Sequence, residues 1–244
     1  MILQRDIIAE GQVLDNIRRS MEGGTRSEGT HVSELIYCLR KAAARRRGVG
    51  GALTPSTILL FATGRALQDY MSGTKGDASE VTVDGITGTP DQVFEVSARE
   101  HPREFKATYM SAAKDIMEST HYIDQLAAYC HMKGVLSGQL VAWYVNGYYN
   151  FQRKTPHPES LPGERSVLRV WSVRFTPEEL SEWWDEMLHR KVVLDAVGDL
   201  PLEEAIEAIP MAYHHTWECE FCELAGGLCP GGPGQYDKMR RWER

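Results

Sequence analysis

The sequence predicts a mixed α/β fold, and three observations lead to this prediction. Segments with apolar residues at helical spacing alternate with segments rich in β-branched and aromatic residues. Their order is helix, strands, helix, strands and helix, which differs from the regular alternation of a doubly wound sheet. The chain has 244 residues, of which 42% are hydrophobic and 25% charged, so it can bury a full core and lacks the composition of a disordered protein.

Helical periodicity predicts six helices. The predicted helices cover residues 6–21, 33–47, 56–72, 111–132, 176–197 and 202–208. Ser33 is the candidate N-cap of the second helix, and Pro177 followed by two glutamates marks the start of the fifth. In the third helix, Gly64 and Gln68 lie one turn apart and therefore share a face.

Alternation of apolar and polar side chains predicts the strands. Residues 79–97 are expected to form strands that are broken at Gly85 and again at residues 88–90. Further strands are predicted over residues 103–108, 140–149 and 167–175, with a loop rich in proline and charge at 152–164. The last two strands are expected to pair as a hairpin.

Three polar side chains, Asp91, Glu104 and Lys106, form a candidate catalytic site. Positions i and i+2 of a strand share a face, so Glu104 and Lys106 would point the same way and Phe105 the opposite way. If residues 97–100 turn the chain, Asp91 lies close to them. Two carboxylates and an ammonium group then form a divalent-metal site suited to phosphodiester hydrolysis. The alternative interpretation is a surface hairpin with an ordinary ion pair.

The cysteines suggest a second site. Three of the five are clustered near the C-terminus, at Cys219, Cys222 and Cys229, in a C-x2-C-x6-C pattern. Soft thiolates suit zinc or an iron–sulfur cluster, and the spacing alone does not distinguish the two. The fourth ligand would be His214 or His215, which gives a zinc site, or the distant Cys38, which ties the two parts of the chain together.

Charge and hydropathy restrict where the protein is expected in the cell and whether it binds nucleic acid or a membrane. The net charge of −7 does not indicate a nucleic-acid binder, but basic residues cluster at 40–47 and 238–244, where they would either contact phosphate or form a solvated face. No apolar run approaches the roughly 20 residues of a membrane-spanning helix. The first residues lack the features of a secretory signal. We therefore expect a cytoplasmic protein without a membrane partner.

Six motifs occur in one order along the chain. They are a distant Cys, a Gly-x3-polar helix, an isolated Asp, Glu-x-Lys, Gln-x3-Tyr and a three-Cys cluster, at Cys38, Gly64–Gln68, Asp91, Glu104–Lys106, Gln125–Tyr129 and Cys219–Cys229. In this set the sequence resembles the RecB-type nucleases of the PD-(D/E)XK superfamily. More narrowly, it resembles the branch with a 4Fe–4S cluster, which includes the CRISPR-associated Cas-four exonucleases and the nuclease domain of AddB. Each motif is weak alone, but the ordered set is specific.

The resemblance implies roles for individual residues. Asp91 and Glu104 match the carboxylates that bind Mg²⁺ or Mn²⁺, with the carbonyl of Phe105 as a further ligand. Lys106 matches the lysine that activates water and stabilises the phosphorane charge. Gln125 and Tyr129 match the motif near the DNA backbone. The four cluster ligands match Cys38, Cys219, Cys222 and Cys229, whereas Cys130 has no counterpart and is expected to be a buried apolar residue.

The resemblance also implies a fold and a function. The fold would be a restriction-endonuclease-like core, with a mixed sheet flanked by helices, over residues 55–200 of one nuclease domain that spans 1–244. An iron–sulfur cluster would staple a helical subdomain from residues 30–50 and 210–232. The implied activity is a metal-dependent exonuclease on single-stranded DNA or DNA ends, in CRISPR adaptation, recombination or repair, with proteins of these pathways as partners.

The sequence departs from the family at Gln68, where a histidine usually binds the metal. An amide oxygen still binds a hard cation, but less well than imidazole binds manganese. Two alternatives therefore stand beside the exonuclease. One is a catalytically weak or inactive protein that binds DNA ends or a partner, and the other is a zinc-stapled interaction module.

Overall fold

The computed structural model describes residues 7–22, 27–50, 54–72, 79–148, 166–210, 218–219 and 222–230. The helices are α1 Ile7–Glu22, α2 Val32–Ile36, α3 Leu39–Arg46, α4 Pro55–Ser72, α5 Thr120–Lys133, α6 Pro177–Ala196 and α7 Leu202–Ala208. The strands are β1 Thr30–His31, β2 Val81–Val83, β3 Ile86–Gly88, β4 Gln92–Val96, β5 Arg99–Thr108, β6 Ser137–Tyr144 and β7 Val167–Arg174.

Two mixed sheets organise these elements. The larger has the order β4-β5-β6-β7, in which β5 and β6 are parallel and the outer pairs are antiparallel. The smaller has the order β1-β3-β2. Parallel neighbours need a crossover connection, and α5 supplies it between β5 and β6. The predicted mixed α/β class, with mixed sheets flanked by helices, is confirmed, as is the hairpin of β6 with β7.

Helix α5 packs directly on the larger sheet and forms the centre of the core. Leu126, in α5, and Leu140, in β6, are fully buried, as is Trp183 of α6. Gly138 permits this close packing, because a Cβ there would lie 2.8 Å from both Leu126 Cδ1 and the carbonyl oxygen of Pro102. The helix that connects the two central strands is thus held against their buried face.

The predicted helix over residues 33–47 is wrong as a single element. It is two helices, α2 and α3, separated at Tyr37 and Cys38. The predicted N-cap is also wrong, because α2 begins at Val32 and the preceding residue His31 donates its backbone N–H to Glu34 Oε2 at 2.8 Å. Ser33 lies within the first turn.

Two further boundaries differ from the prediction. The helix predicted from residue 111 begins only at Thr120, because the Asp115 side chain accepts a hydrogen bond from Met117 N–H at 3.0 Å and starts a short 3₁₀ helix. Strand β6 ends at Tyr144 rather than at residue 149, since Gly147 has a φ of 56° and closes a turn onto Tyr144. The predicted loop at 152–164 lies outside the described residues.

The basic residues at 40–47 mostly serve the fold. Arg46 forms ion pairs of 3.2 Å with Glu34 and with Asp195 of α6. Arg47 donates to backbone carbonyls that follow α6, including that of Leu200. These side chains tie α3 to α2 and α6, so the phosphate-contact interpretation of this cluster gains no support from the structure. Within the described segments, no helix is both long enough and apolar enough to cross a membrane.

Candidate active site

A tight hairpin brings Asp91 next to Glu104. Strands β4 and β5 pair in a register that sets Val96 opposite Arg99 and Gln92 opposite Arg103. The two residues of the turn, 97 and 98, both have positive φ angles, of 52° and 61°. This conformation matches the twist of paired strands. The prediction that the chain turns between residues 97 and 100 is therefore confirmed.

At the base of this hairpin the carboxylate of Glu104 is buried and that of Asp91 is half-buried. Asp91 Oδ2 accepts the backbone N–H of Phe105 at 2.8 Å, and Oδ1 accepts the side-chain amide of Gln68 at 2.5 Å. Glu104 is 1% exposed, and its Oε1 accepts Lys106 Nζ at 2.6 Å. Its Oε2 is buried without a hydrogen-bond partner among the described residues. One carboxylate oxygen is thus desolvated and receives no donor from the described residues, and Glu104 lies within hydrogen-bonding reach of the Asp91 carboxylate.

The electrostatics of the pair favour an added positive charge. Burial and the neighbouring charge of Asp91 raise the pKa of Glu104 to about 8, although Lys106 opposes this rise. Burial likewise raises the pKa of Asp91. Two desolvated carboxylates face one ammonium group, so the site has an excess of negative charge when both are ionised.

Helix α5 holds Lys106 in place. Lys106 Nζ donates to Gln125 Oε1 at 2.8 Å, and Gln125 Nε2 donates to the hydroxyl of Tyr129 at 3.0 Å. The ammonium group also lies 5.2 Å from the ring centroid of Tyr122. Burial disfavours the ammonium charge, but Glu104 and other neighbours outweigh it and raise the pKa of Lys106, so it remains protonated. The structure thus brings Gln125 and Tyr129 into the site, where they support Lys106.

Tyr129 is too deeply buried to contact a substrate in this arrangement. Its side chain is 4% exposed, and it packs against Gly88 at the end of β3. A Cβ at Gly88 would lie 2.8 Å from Tyr129 Cε1 and 2.9 Å from Val32 Cγ2. Gly88 therefore permits the contact that fixes the Tyr129–Gln125–Lys106 chain. The sequence showed only a strand break at this glycine.

A cleft of about 1020 Å³ reaches the site at Asp91 and Gln68, whereas Glu104 and Lys106 do not line it. One wall is α4, which contributes Phe61 and Gln68, and the other carries the aromatic side chains Tyr37, His121 and Tyr122. The ring centroids of Tyr37 and His121 are 5.8 Å apart, and those of His121 and Tyr122 are 4.2 Å apart. The sequence interpretation did not assign these aromatic residues to the site, because they come from separate segments that only the fold brings together.

The described C-terminal segment places its cysteines beside α3. Arg40 Nη1 donates to Cys229 Sγ at 3.4 Å, and the backbone N–H of Cys38 donates to Glu218 Oε1 at 3.0 Å. Cys222 packs in the same small apolar cluster as Cys229. Burial raises the pKa of the Cys38 thiol to about 11, with the nearby Glu218 and Cys222 acting in the same direction. The two distant cysteine segments are therefore neighbours.

Three further observations bear on the cysteine site. Among the described residues, no group of three or more His, Cys, Asp and Glu side chains is placed to hold a metal ion. His214 and His215, the alternative fourth ligands, lie outside the described residues. Cys130 is fully buried in α5, and burial raises the pKa of its thiol to about 12, as expected for an inert core residue.

Comparisons with known proteins give a fold relationship at low identity. The crystal structure of SSO0001 has a TM-score of 0.53 and 15% sequence identity, covering 89% of this chain and 94% of that chain. At this identity the similarity shows the fold alone. A phage-related exonuclease from Haemophilus somnus 129PT has a TM-score of 0.34 and 13% identity over 82% of this chain and 84% of that chain, which is too low to support an argument. No protein-family model and no curated protein matches the sequence.

Proposed function

We propose that the protein is a metal-dependent deoxyribonuclease with a PD-(D/E)XK core. The observation that carries this proposal is the buried Oε2 of Glu104, which has no hydrogen-bond partner among the described residues and lies beside Asp91, the carboxylate that lines an open cleft. A buried carboxylate oxygen without a hydrogen bond is costly unless a cation or another partner completes it.

The donor set fits a hard divalent cation. Magnesium is commonly bound through one or two carboxylates with the remaining positions left to water and substrate phosphate. Asp91 and Glu104 would hold Mg²⁺ or Mn²⁺, with the carbonyl of Phe105 as the further ligand that the resemblance implies. When bound, such a cation lowers the pKa of water and neutralises charge on the scissile phosphate. Gln68 presents its amide nitrogen to Asp91, so it orients that carboxylate and would donate its oxygen only after rotation of the amide.

The remaining residues of the site position and stabilise charge. Lys106 supplies a fixed positive charge next to the carboxylates, where it would stabilise the negative charge that develops on the phosphorane. Gln125 and Tyr129 act through Lys106, because Lys106 donates to the Gln125 side-chain oxygen and the Gln125 amide donates to the Tyr129 hydroxyl. Pre-organisation of this chain means that little reorientation is needed during the reaction.

The cleft favours nucleic acid with unpaired bases as the substrate. Its two walls carry aromatic and apolar side chains, of which Phe61 is 46% and Tyr109 47% exposed. Aromatic side chains bind single strands by stacking on successive bases. We therefore propose cleavage of single-stranded DNA or of DNA ends, in the cytoplasm, with proteins of CRISPR adaptation, recombination or repair as partners.

For the cysteines we propose a structural 4Fe–4S cluster held by Cys38, Cys219, Cys222 and Cys229. Two observations support it: the two cysteine segments are neighbours, and the guanidinium of Arg40 lies against Cys229 Sγ. The cluster would fix the helical subdomain that the resemblance implies, and no reaction step is assigned to it.

A binding protein without cleavage is the second candidate. The orientation of Gln68 favours it, because the amide nitrogen rather than an oxygen or imidazole faces the carboxylates. Incubation of end-labelled single-stranded and duplex DNA with the protein in Mn²⁺, Mg²⁺ or EDTA separates the two functions. A nuclease shortens the DNA only with metal, and labels at the 5′ or 3′ end give the polarity. Binding without shortening in either metal would support the second candidate.

A further inference from the structure

A single peptide bond between α2 and α3 is held from both sides by buried charged side chains. The carbonyl of Tyr37 accepts Arg190 Nη2 at 2.8 Å, and the N–H of Cys38 donates to Glu218 Oε1 at 3.0 Å. Arg190 belongs to α6 and is fully buried, and Glu218 belongs to the C-terminal cysteine segment and is 7% exposed. The orientation of this peptide plane is therefore fixed by two elements that are distant in sequence.

This peptide sets the direction of the Tyr37 side chain. The ring enters the cleft and begins a series of aromatic contacts, first with His121 at 5.8 Å and then from His121 to Tyr122 at 4.2 Å. Tyr122 in turn lies 5.2 Å from Lys106 Nζ. Burial raises the pKa of the Tyr37 phenol to about 12, and the positive charge of Lys106 opposes this rise. The side chain of Tyr37 is thus connected to Lys106 through His121 and Tyr122, and the peptide that follows it is hydrogen-bonded to the cysteine segment.

We propose that Tyr37 is a positioning residue for Lys106, and that Glu218 makes the geometry of the active site depend on the C-terminal cysteine segment through the Tyr37–Cys38 peptide. The proposal rests on the proposed function, because it requires Lys106 to act in cleavage. Loss of the hydrogen bond from Cys38 leaves the peptide plane held by Arg190 alone, so its orientation is no longer fixed from both sides. Tyr37 then loses its fixed position beside the ammonium group, although the metal-binding carboxylates remain.

Cleavage kinetics provide the first test. We expect Tyr37→Phe and Glu218→Ala each to lower kcat by about 10-fold with little change in KM, because an error in position affects the reaction more than substrate binding. Glu218→Gln keeps an acceptor oxygen and should retain most of the activity. Glu223→Gln is the matched control, since it weakens the ion pair with Lys41 in the same segment without touching the peptide.

The double variant tests whether Glu218 acts through Tyr37. If it does, Glu218→Ala has no further effect on kcat when Tyr37 is already phenylalanine. Independent losses that multiply in the double variant would overturn the proposal, as would a normal kcat in Tyr37→Phe.

A second measurement does not depend on activity. The ¹³Cε signal of Lys106 in lysine-labelled protein, assigned by its loss in Lys106→Arg, should shift in Tyr37→Phe and in Glu218→Ala but not in Glu223→Gln. An unchanged signal in Tyr37→Phe contradicts the proposal even if Glu218→Ala fails to fold. If the parent protein does not cleave DNA but the signals shift as expected, the proposed function fails and the structural link between Tyr37 and Lys106 stands.

Discussion

Replacement of Glu104 by glutamine should remove a pH dependence from the stability of the metal-free protein. The carboxyl group of Glu104 is buried, and burial together with the charge of Asp91 raises its pKa from 4.5 to about 8. Below pH 4.5 the group is neutral in both the folded and the unfolded states. Between pH 4.5 and about 8 only the unfolded state ionises, so the free energy of unfolding falls as the pH rises. Above that range both states are ionised and the dependence ends.

The displacement of the pKa sets the size of the effect. Each pKa unit corresponds to about 1.4 kcal/mol, so the shift from 4.5 to about 8 gives an upper limit of about 5 kcal/mol. The pKa of about 8 already includes the opposing effect of Lys106. We therefore expect a loss on the order of a few kcal/mol, which lowers Tm by roughly 5–10 °C for a chain of this size.

Thermal unfolding between pH 5 and pH 8.5 in EDTA measures this loss. We expect Tm of the parent to fall with pH relative to Glu104→Gln, whose pH dependence should be shallower. Glu100→Gln is the matched control, because Glu100 lies on the same strand but its side chain is 60% exposed. At pH 8, Mn²⁺ or Mg²⁺ should raise Tm of the parent and not that of Glu104→Gln. Parallel pH profiles for the parent and Glu104→Gln would refute the assignment of Glu104 as a buried carboxyl group with a raised pKa that binds the metal.

Three further predictions concern single positions. Gln68→His should raise Mn²⁺ affinity and Mn²⁺-supported cleavage, with a smaller effect for Mg²⁺, whereas Gln68→Ala should lower both the affinity and the cleavage. If metal titrations of activity show no difference between either variant and the parent, residue 68 does not belong to the metal site. Cys38→Ala should lose iron and thermal stability, whereas Cys130→Ala should retain the iron of the parent; iron assays that give equal content in Cys38→Ala and the parent contradict the proposed cluster. Gly88→Ala should destabilise the protein by about 1–3 kcal/mol, because the added Cβ would overlap Tyr129 and Val32. Gly64→Ala is the control, since the space around its Cβ is open. Equal denaturant midpoints for Gly88→Ala and the parent would contradict this packing.

The β4–β5 hairpin that carries the candidate site could be predicted because its determinants are local. The i, i+2 spacing of Glu104 and Lys106 fixes their common face, and the turn at residues 97 and 98 fixes the position of Asp91. The i, i+4 spacing of Gln125 and Tyr129 likewise placed both on one face of α5. Helical and strand periodicity therefore gave the main elements, and spacing gave the residues that meet in the site.

The parts that the sequence did not predict depend on tertiary contacts. The break between α2 and α3 occurs where buried side chains from α6 and the C-terminal segment bind the Tyr37–Cys38 peptide, and nothing in residues 33–47 indicates it. The basic residues of α3 suggested phosphate contacts, but Arg46 is paired with carboxylates from two other helices. Asp195 is 149 residues away from Arg46, and Glu34 comes close only because the chain breaks between α2 and α3, so spacing arguments could not identify either partner.

Single-turnover cleavage of labelled single-stranded DNA by Lys106→Ala tests the central claim most directly. We expect this variant to bind DNA with nearly the affinity of the parent but to cleave it about 10²–10³-fold more slowly in saturating Mn²⁺, because a charge that stabilises the transition state has been removed. Lys114→Ala, at an exposed position outside the cleft, should cleave like the parent. Cleavage by Lys106→Ala at the rate of the parent would contradict the assignment of this site as the nuclease centre.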